Sequence, residues 1–370
     1  MKKFCALVTA VLMLFVPAVL WAAASPEPTE KTMKREIKIG KKGQKVIEEH
    51  IPRVFDPDEE ARLALIADRL TPYLQRKFNY TVRILDVKQP NAFSLPGGMT
   101  YFTTGMLKFL KSDDEIAAVM SHEFIHADRA HGIVQAKRNN RLSLLTIAGL
   151  IAATQAGGES SGGIATMAMG LQTAISNSYG IELEKEADSM GIEVLRRAGY
   201  NPAAMLTMME RMRVEKLKRA QYQLGIFQTH PEEEERVEAA LKYLHDKGIN
   251  IRRKEVVNLL KVKACTSFGY KQVTIDDEPI VSIPESEEVS RLFDELAERL
   301  DNTLELELAP YDVKVIEENT GGNTLMIGRV RILTEAERLE GMPTLAELRD
   351  LIIKAVNRAR SDNMMTDYFR

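Results

Sequence analysis

His122, Glu123 and His126 stand in the order His-Glu-Phe-Ile-His, two imidazoles four positions apart with a carboxylate beside the first. On an α-helix such residues share one face, so both rings can reach a single ion. Glu123 falls on the rim of that face, where a carboxylate can act on water as general base. Neutral imidazoles with an oxygen ligand suit tetrahedral Zn²⁺, and a catalytic zinc usually takes three protein ligands. A third histidine six positions beyond the second would fall on Gly132, and His131 is one residue short. The other candidates lie in Glu184-Lys185-Glu186-Ala187-Asp188. Glu184 and Asp188 share a helical face, so one can bind the ion while the other orients a ligand imidazole through its distal N–H. His131 reads as a support for the site or a structural residue, and His50 and His245 as surface residues.

Helices must hold this constellation. Ser112 with Glu115 three residues later is a capping box opening the helix of His122, with Ile116, Val119, Met120 and Phe124 on its core face. A second helix runs through Glu182 to Leu195, closed by Ala198-Gly199. Asn201-Pro202 caps the next, and His230-Pro231 begins another, to about Leu244. Upstream, Asp56 caps a helix with Pro57 at its first position and Leu63, Ile66, Leu70 and Leu74 at apolar spacing. Thr81 to Val87 alternates as a half-buried strand does, and Asn91 to Thr104 reads as strand, Pro-Gly-Gly turn, strand. That hairpin is expected to present an edge along the cleft, to which an extended peptide substrate can add.

Residues 25–35 read as a flexible leader. Leu142 to Ala153 and Ile164 to Ile175 are apolar, on either side of a Gly-rich loop, and each is shorter than the roughly 18 residues of a membrane span. They read as two short buried helices, or as a flap hinged on the glycines. After residue 250 the texture changes. Val273 and Ile275, then Ile280 and Ile283, suggest short strands. Ser286 caps a helix, Tyr311 to Val315 and Leu325 to Leu333 suggest a hairpin, and Thr344 with Glu347 caps a last helix. Residues 251–370 are thus expected to form a small α+β domain, with no repeat of solenoid length.

The 370 residues carry 28% charged and 45% hydrophobic side chains at net charge −3. That is the composition of a globular protein, and with no basic stripe it argues against nucleic acid as a partner. Lys2 and Lys3 precede an apolar run from Phe4 to Leu20, and Ala22-Ala23-Ala24 supplies small residues before Ser25-Pro26. This is the pattern of a secretory signal peptide, residues 1–24, cut after Ala24; an uncleaved anchor is the competing reading. Cleavage leaves Cys265 as the one cysteine, so no internal disulfide is expected, and a lone cysteine reads as a small core residue.

Asn91-Ala92-Phe93 through Pro96-Gly97-Gly98 come first, then Asp114-Glu115 leading into His122–His126. His131-Gly132, Glu184 with Ala187-Asp188, Gly199-Tyr200-Asn201-Pro202, and Thr229-His230-Pro231 with Arg236 follow, all within residues 36–247. In these motifs and their order the chain resembles the HtpX-like, CAAX-prenyl-endopeptidase-type family of zinc metallopeptidases, and within it the exported, periplasmic BepA-like branch. The resemblance implies a mainly α gluzincin-type metallopeptidase domain with a small β-sheet, over residues 25–250. It implies His122, His126 and Glu184 on one zinc ion, with Glu123 as general base. It also implies that His230 can be a fourth ligand holding the enzyme latent. His230 and Arg236 are the expected donors to the developing oxyanion, since zinc and one further donor must stabilise it. The expected function is an exported zinc endopeptidase acting on unfolded or misassembled envelope proteins. Its substrates would include outer-membrane proteins or their assembly machinery, with no stable membrane span once the signal is removed. A metal-stabilised periplasmic chaperone with latent protease activity is the alternative. The C-terminal part departs from that branch: it shows no tetratricopeptide repeats.

Overall fold

The computed structural model describes residues 29–138, 179–218, 233–317 and 322–362. The signal segment, the apolar stretches 142–153 and 164–175, and His230 lie outside them. Helix α1 (Glu30–His50) is followed by β1 (Arg53–Val54), α2 (Pro57–Leu70), β2 (Thr81–Leu85), β3 (Ala92–Leu95), β4 (Met99–Thr103) and α3 (Thr104–Phe109). Then come α4 (Asp113–Asp128), α5 (His131–Arg138), α6 (Ile181–Ala198), α7 (Ala204–Lys218), α8 (Glu233–Asp246) and α9 (Arg253–Val257). Helix α4 is the axis of this part, and every residue from Glu115 to Asp128 is buried. A helix enclosed on all sides needs apolar residues all round, and where α4 is polar it must have partners.

The expected caps form. Asp56 accepts from the amides of Asp58 and Glu59, and Ser112 accepts from the Glu115 amide. The return half of the second box is displaced by one residue, because the Glu115 carboxylate accepts from the Lys111 amide at 2.9 Å. Glu115 also takes a hydrogen bond from Thr207 and an ion pair from Arg211, so the start of α4 is fastened to α7.

The sheet runs β1-β2-β4-β3, with β2 and β4 parallel and the other pairs antiparallel. Strand residues alternate between faces. Ala92 and Phe102 join the core that holds α4, while Phe93, Leu95 and Tyr101 pack with Ile47 of α1. Here the structure corrects the expected leader, since α1 begins at Glu30 with Thr29 as N-cap. Its two glycines look like helix breakers in sequence, yet a Cβ at Gly40 would collide with the Pro96 carbonyl. Glycine at that position lets the helix lie against the hairpin turn, where Gly97 and Gly98 take φ of 94° and 90°. Glu36 of α1 pairs with the buried Arg76 at 2.6 Å, and the Arg76 amide donates to Asp128 at the end of α4.

From residue 260 a second apolar cluster forms. Strands β5 (Val262–Ser267), β6 (Tyr270–Ile275) and β7 (Glu278–Pro284) make an antiparallel meander followed by α10 (Glu287–Thr303). Strands β8 (Val313–Glu317), β9 (Asn323–Ile327) and β10 (Val330–Thr334) make another, followed by α11 (Leu345–Asp362). The same βββα order thus occurs twice. Each helix covers its own sheet and reaches the last strand of the other, so the two units close one core around Phe293, Leu300, Leu325, Ile332 and Ile352. The expected single strand over residues 325–333 is instead two, turned at Gly328 (φ 58°). Cys265 is exposed on β5, not in the core: that edge strand buries Val262 and leaves Cys265 on the open side.

Candidate metal centre

Helix α4 carries His122, Glu123 and His126, and α6 lies along it with Glu184 and Asp188 facing them. Gly191 permits the close approach: a Cβ there would stand 3.1 Å from Ser121 Oγ and 2.8 Å from Met205 Cε. The His122 and His126 Nε2 atoms are 2.9 Å apart. Glu184 reaches them with Oε2 at 3.4 Å from His122 Nε2 and Oε1 at 3.5 Å from His126 Nε2.

Bonds of zinc to nitrogen and oxygen imply donor–donor edges of roughly 3.3 Å in a tetrahedron. The observed triangle is close to that size, and its three residues are buried. The donor set, two imidazoles and one carboxylate with no thiolate, is that of a catalytic site keeping one position for water or substrate. These residues therefore fit a zinc ion. Among the described residues this is the cluster of three such side chains placed to hold a metal.

The charges around it are matched. Asp188 Oδ1 lies 2.9 Å from His122 Nδ1, the partner that leaves the Nε2 lone pair for the ion. Arg236 on α8 donates through Nε and Nη2 to the two Asp188 oxygens, at 2.8 and 2.7 Å, and its Nη1 stands 3.0 Å from Glu184 Oε2. Burial works against a charged His122, but its bonds to Asp188 and Glu184 outweigh it and push it up to about 9. Burial opposes the Asp188 charge too, and Arg236 prevails, holding that carboxyl below its usual range. Glu123 is buried beside His122 on α4.

The structure thus brings His122, Glu123, His126, Glu184, Asp188 and Arg236 together, and decides which of the two α6 carboxylates faces the imidazole Nε2 atoms. Arg236, expected as an oxyanion donor, stands here against the two carboxylates of α6. With Nε, Nη1 and Nη2 committed to Glu184 and Asp188, the guanidinium clamps the two acidic side chains. His230 lies outside the described residues.

Two contributors were not singled out by spacing. Tyr179 stacks on the His126 ring, centroids 4.1 Å apart and planes 17° apart. Burial, then the nearby Glu123 and Glu184 charges, push its phenol well above the ordinary range. Glu186 stands in the acidic string but turns to the opposite side of α6, 3.6 Å from His131 Nε2. The nearby His131 ring, aided by Arg129, holds that carboxyl below its usual range. The string itself was the only sequence signal for Glu186, and Tyr179 had none.

Two histidines from one helix and a glutamate from a second, with a carboxylate next to the first histidine, define a metallopeptidase centre of the gluzincin type. Residues 57–244, half of the chain, match peptidase family M48, and the chain belongs to that family. It is 28% identical over 169 residues to the beta-barrel assembly-enhancing protease of Yersinia pestis, covering 44% of this chain and 34% of that protein. To the Escherichia coli K12 protein of the same name it is 32% identical over 157 residues, 40% of this chain and 31% of the other. To the mitochondrial metalloendopeptidase OMA1 of Saccharomyces cerevisiae it is 29% identical over 158 residues, 42% and 44% of the two chains. The chain therefore spans less than half the length of these relatives. Among the described residues no helix is long and apolar enough to cross a membrane.

Proposed function

We propose that this metallopeptidase is an exported zinc endopeptidase that hydrolyses peptide bonds of unfolded or misassembled envelope proteins. The observation that carries the chemistry is the buried His122–His126–Glu184 triangle with Glu123 beside it on α4. His122, His126 and Glu184 would hold a zinc ion, which when bound would supply Lewis-acid chemistry toward water and a carbonyl. Glu123 takes the proton of the attacking water and delivers it to the departing amine. Asp188 holds the His122 ring, and Arg236 neutralises Asp188 and Glu184 so that neither carboxylate has to be protonated in its buried position.

Substrate is held as an added strand on β3. The Thr103 amide donates to the Asn91 carbonyl, so by alternation Ala92 and Ser94 turn their main-chain groups away from β4. A main-chain reader of this kind selects extended, unfolded polypeptide over any particular side chain. The envelope role is supported by relatives whose name is beta-barrel assembly-enhancing protease, and export by the N-terminal pattern Lys2 to Ala24. His230 is assigned a switching role, as a fourth ligand at rest and a donor to the oxyanion when substrate binds.

The test is casein cleavage with parallel zinc analysis. Glu123→Gln should retain zinc and lose cleavage by several orders of magnitude; persistent cleavage would remove Glu123 as the base. His230→Ala should raise basal proteolysis, and a plain loss would dismiss the latent state. Client binding without any wild-type cleavage would favour a chaperone.

A further inference from the structure

His122 has Asp188 behind it, and a ligand imidazole needs such a partner to fix its tautomer and orientation. Behind His126 stands a histidine instead. Its Nδ1 lies 3.0 Å from Nδ1 of His131, a residue 1% exposed that the chemistry above does not use. On the far side of His131, Nε2 faces Glu186 Oε2 at 3.6 Å. Arg129 Nε donates to Glu186 Oε1 at 2.9 Å, and Arg129 Nη1 donates to Gln75 at 3.1 Å. A row of side chains therefore runs outward from His126 through His131 and Glu186 to Arg129.

Proton counting fixes the sense of this row. An imidazole that ligates through Nε2 carries its proton on Nδ1. Only one proton fits between two ring nitrogens 3.0 Å apart. His126 must then donate and His131 accept, which puts the His131 proton on Nε2, facing the Glu186 carboxylate. Each residue enforces the next, and the tautomer they agree on is the one a metal requires at His126. Tyr179, stacked on the face of the His126 ring, limits its tilt.

We propose that His131, set by Glu186, is the positioning residue of His126, so that one ligand histidine is oriented by a carboxylate and the other by a second histidine. This rests on the metal-site reading above. The zinc affinity of the full chain is measured by competition with a chromophoric chelator, together with the visible spectrum of the Co²⁺-substituted protein. His131→Phe keeps a ring of similar size but cannot accept the His126 proton. It should weaken zinc about ten- to a hundredfold and shift the Co²⁺ bands. His131→Gln, whose amide oxygen can accept, should recover much of that loss. Glu186→Gln, at a half-buried position that leaves the core intact, should give a smaller loss in the same direction. Wild-type affinity and spectrum in His131→Phe would overturn the proposal. So would equal losses in the Phe and Gln variants, which would mean that only packing is at stake. His126→Ala separates the two readings: if it binds zinc like the wild type, the metal site itself is wrong, whereas loss there with an unaffected His131→Phe rejects the positioning role alone.

Discussion

At the scale of single residues, the centre is a set of exchanges between burial and charge. Glu184 and Asp188 are buried, and an isolated buried carboxylate would prefer its neutral form. Arg236 prevents that, and is itself buried by doing so. The three form one unit, so the effect of any change is expected to travel. Asp188→Asn removes the charge facing His122 Nδ1 and one half of the Arg236 clamp. It should lower zinc affinity by about ten- to a hundredfold while leaving all three metal ligands in place. Metal retained after dialysis against graded chelator reads this directly, and unchanged retention would show that His122 is held by its packing alone. Arg236→Lys is not a mild change here, because a single ammonium cannot match the two-pronged bond to Asp188.

Elements decide whether those residues meet. Helix α6 reaches α4 because Gly191 has no Cβ, and α1 reaches the β3–β4 turn because Gly40 has none. Strand β3 lies at the sheet edge and packs beside α4, which places its outward main-chain groups next to the helix of the metal ligands. Ser94→Pro deletes one outward N–H without touching the metal ligands. It should raise KM for casein several-fold with zinc content unchanged, whereas Ser94→Ala, which also loses the hydroxyl bond to Thr100 but keeps the N–H, should not. Equal KM in the two variants would move the substrate away from β3. The capping residues Asp56, Ser112, Ser286 and Thr344 are all legible in the amino-acid order, because a cap is a local bargain between one side chain and the amides that follow it. Helix α1 is not legible over its first turns, since the Pro- and charge-rich stretch before and into it reads as a leader, and only packing on the hairpin shows it as a helix.

On the scale of the whole molecule, two apolar clusters are joined by ion pairs. Arg253 pairs with the buried Glu210 of α7 at 2.7 Å and with Glu307, while Lys254 meets Asp301 at 3.0 Å. Arg253→Ala leaves Glu210 buried without that partner and should destabilise the chain by about 3–5 kcal/mol. Urea unfolding measures the loss, and hydrogen exchange shows whether β5–β10 then open separately from α4; a loss under about 1 kcal/mol would mean the junction is held by its apolar contacts. What the sequence by itself determined is local: a metal-binding helix recognisable from three positions, the caps, the strand–turn–strand of the hairpin, and the family to which residues 57–244 belong. Helical spacing alone left Glu184 and Asp188 interchangeable, and the family resemblance favoured Glu184. The tertiary structure sets Glu184 toward the imidazoles with Asp188 behind one of them, and turns Arg236 toward both carboxylates. It also decided that His131 and Glu186 line up behind His126, that the C-terminal βββα unit occurs twice, and that Cys265 faces outward. The physical reason is range: helical spacing tells which residues share a face, but the direction of that face is set by the elements that pack against it.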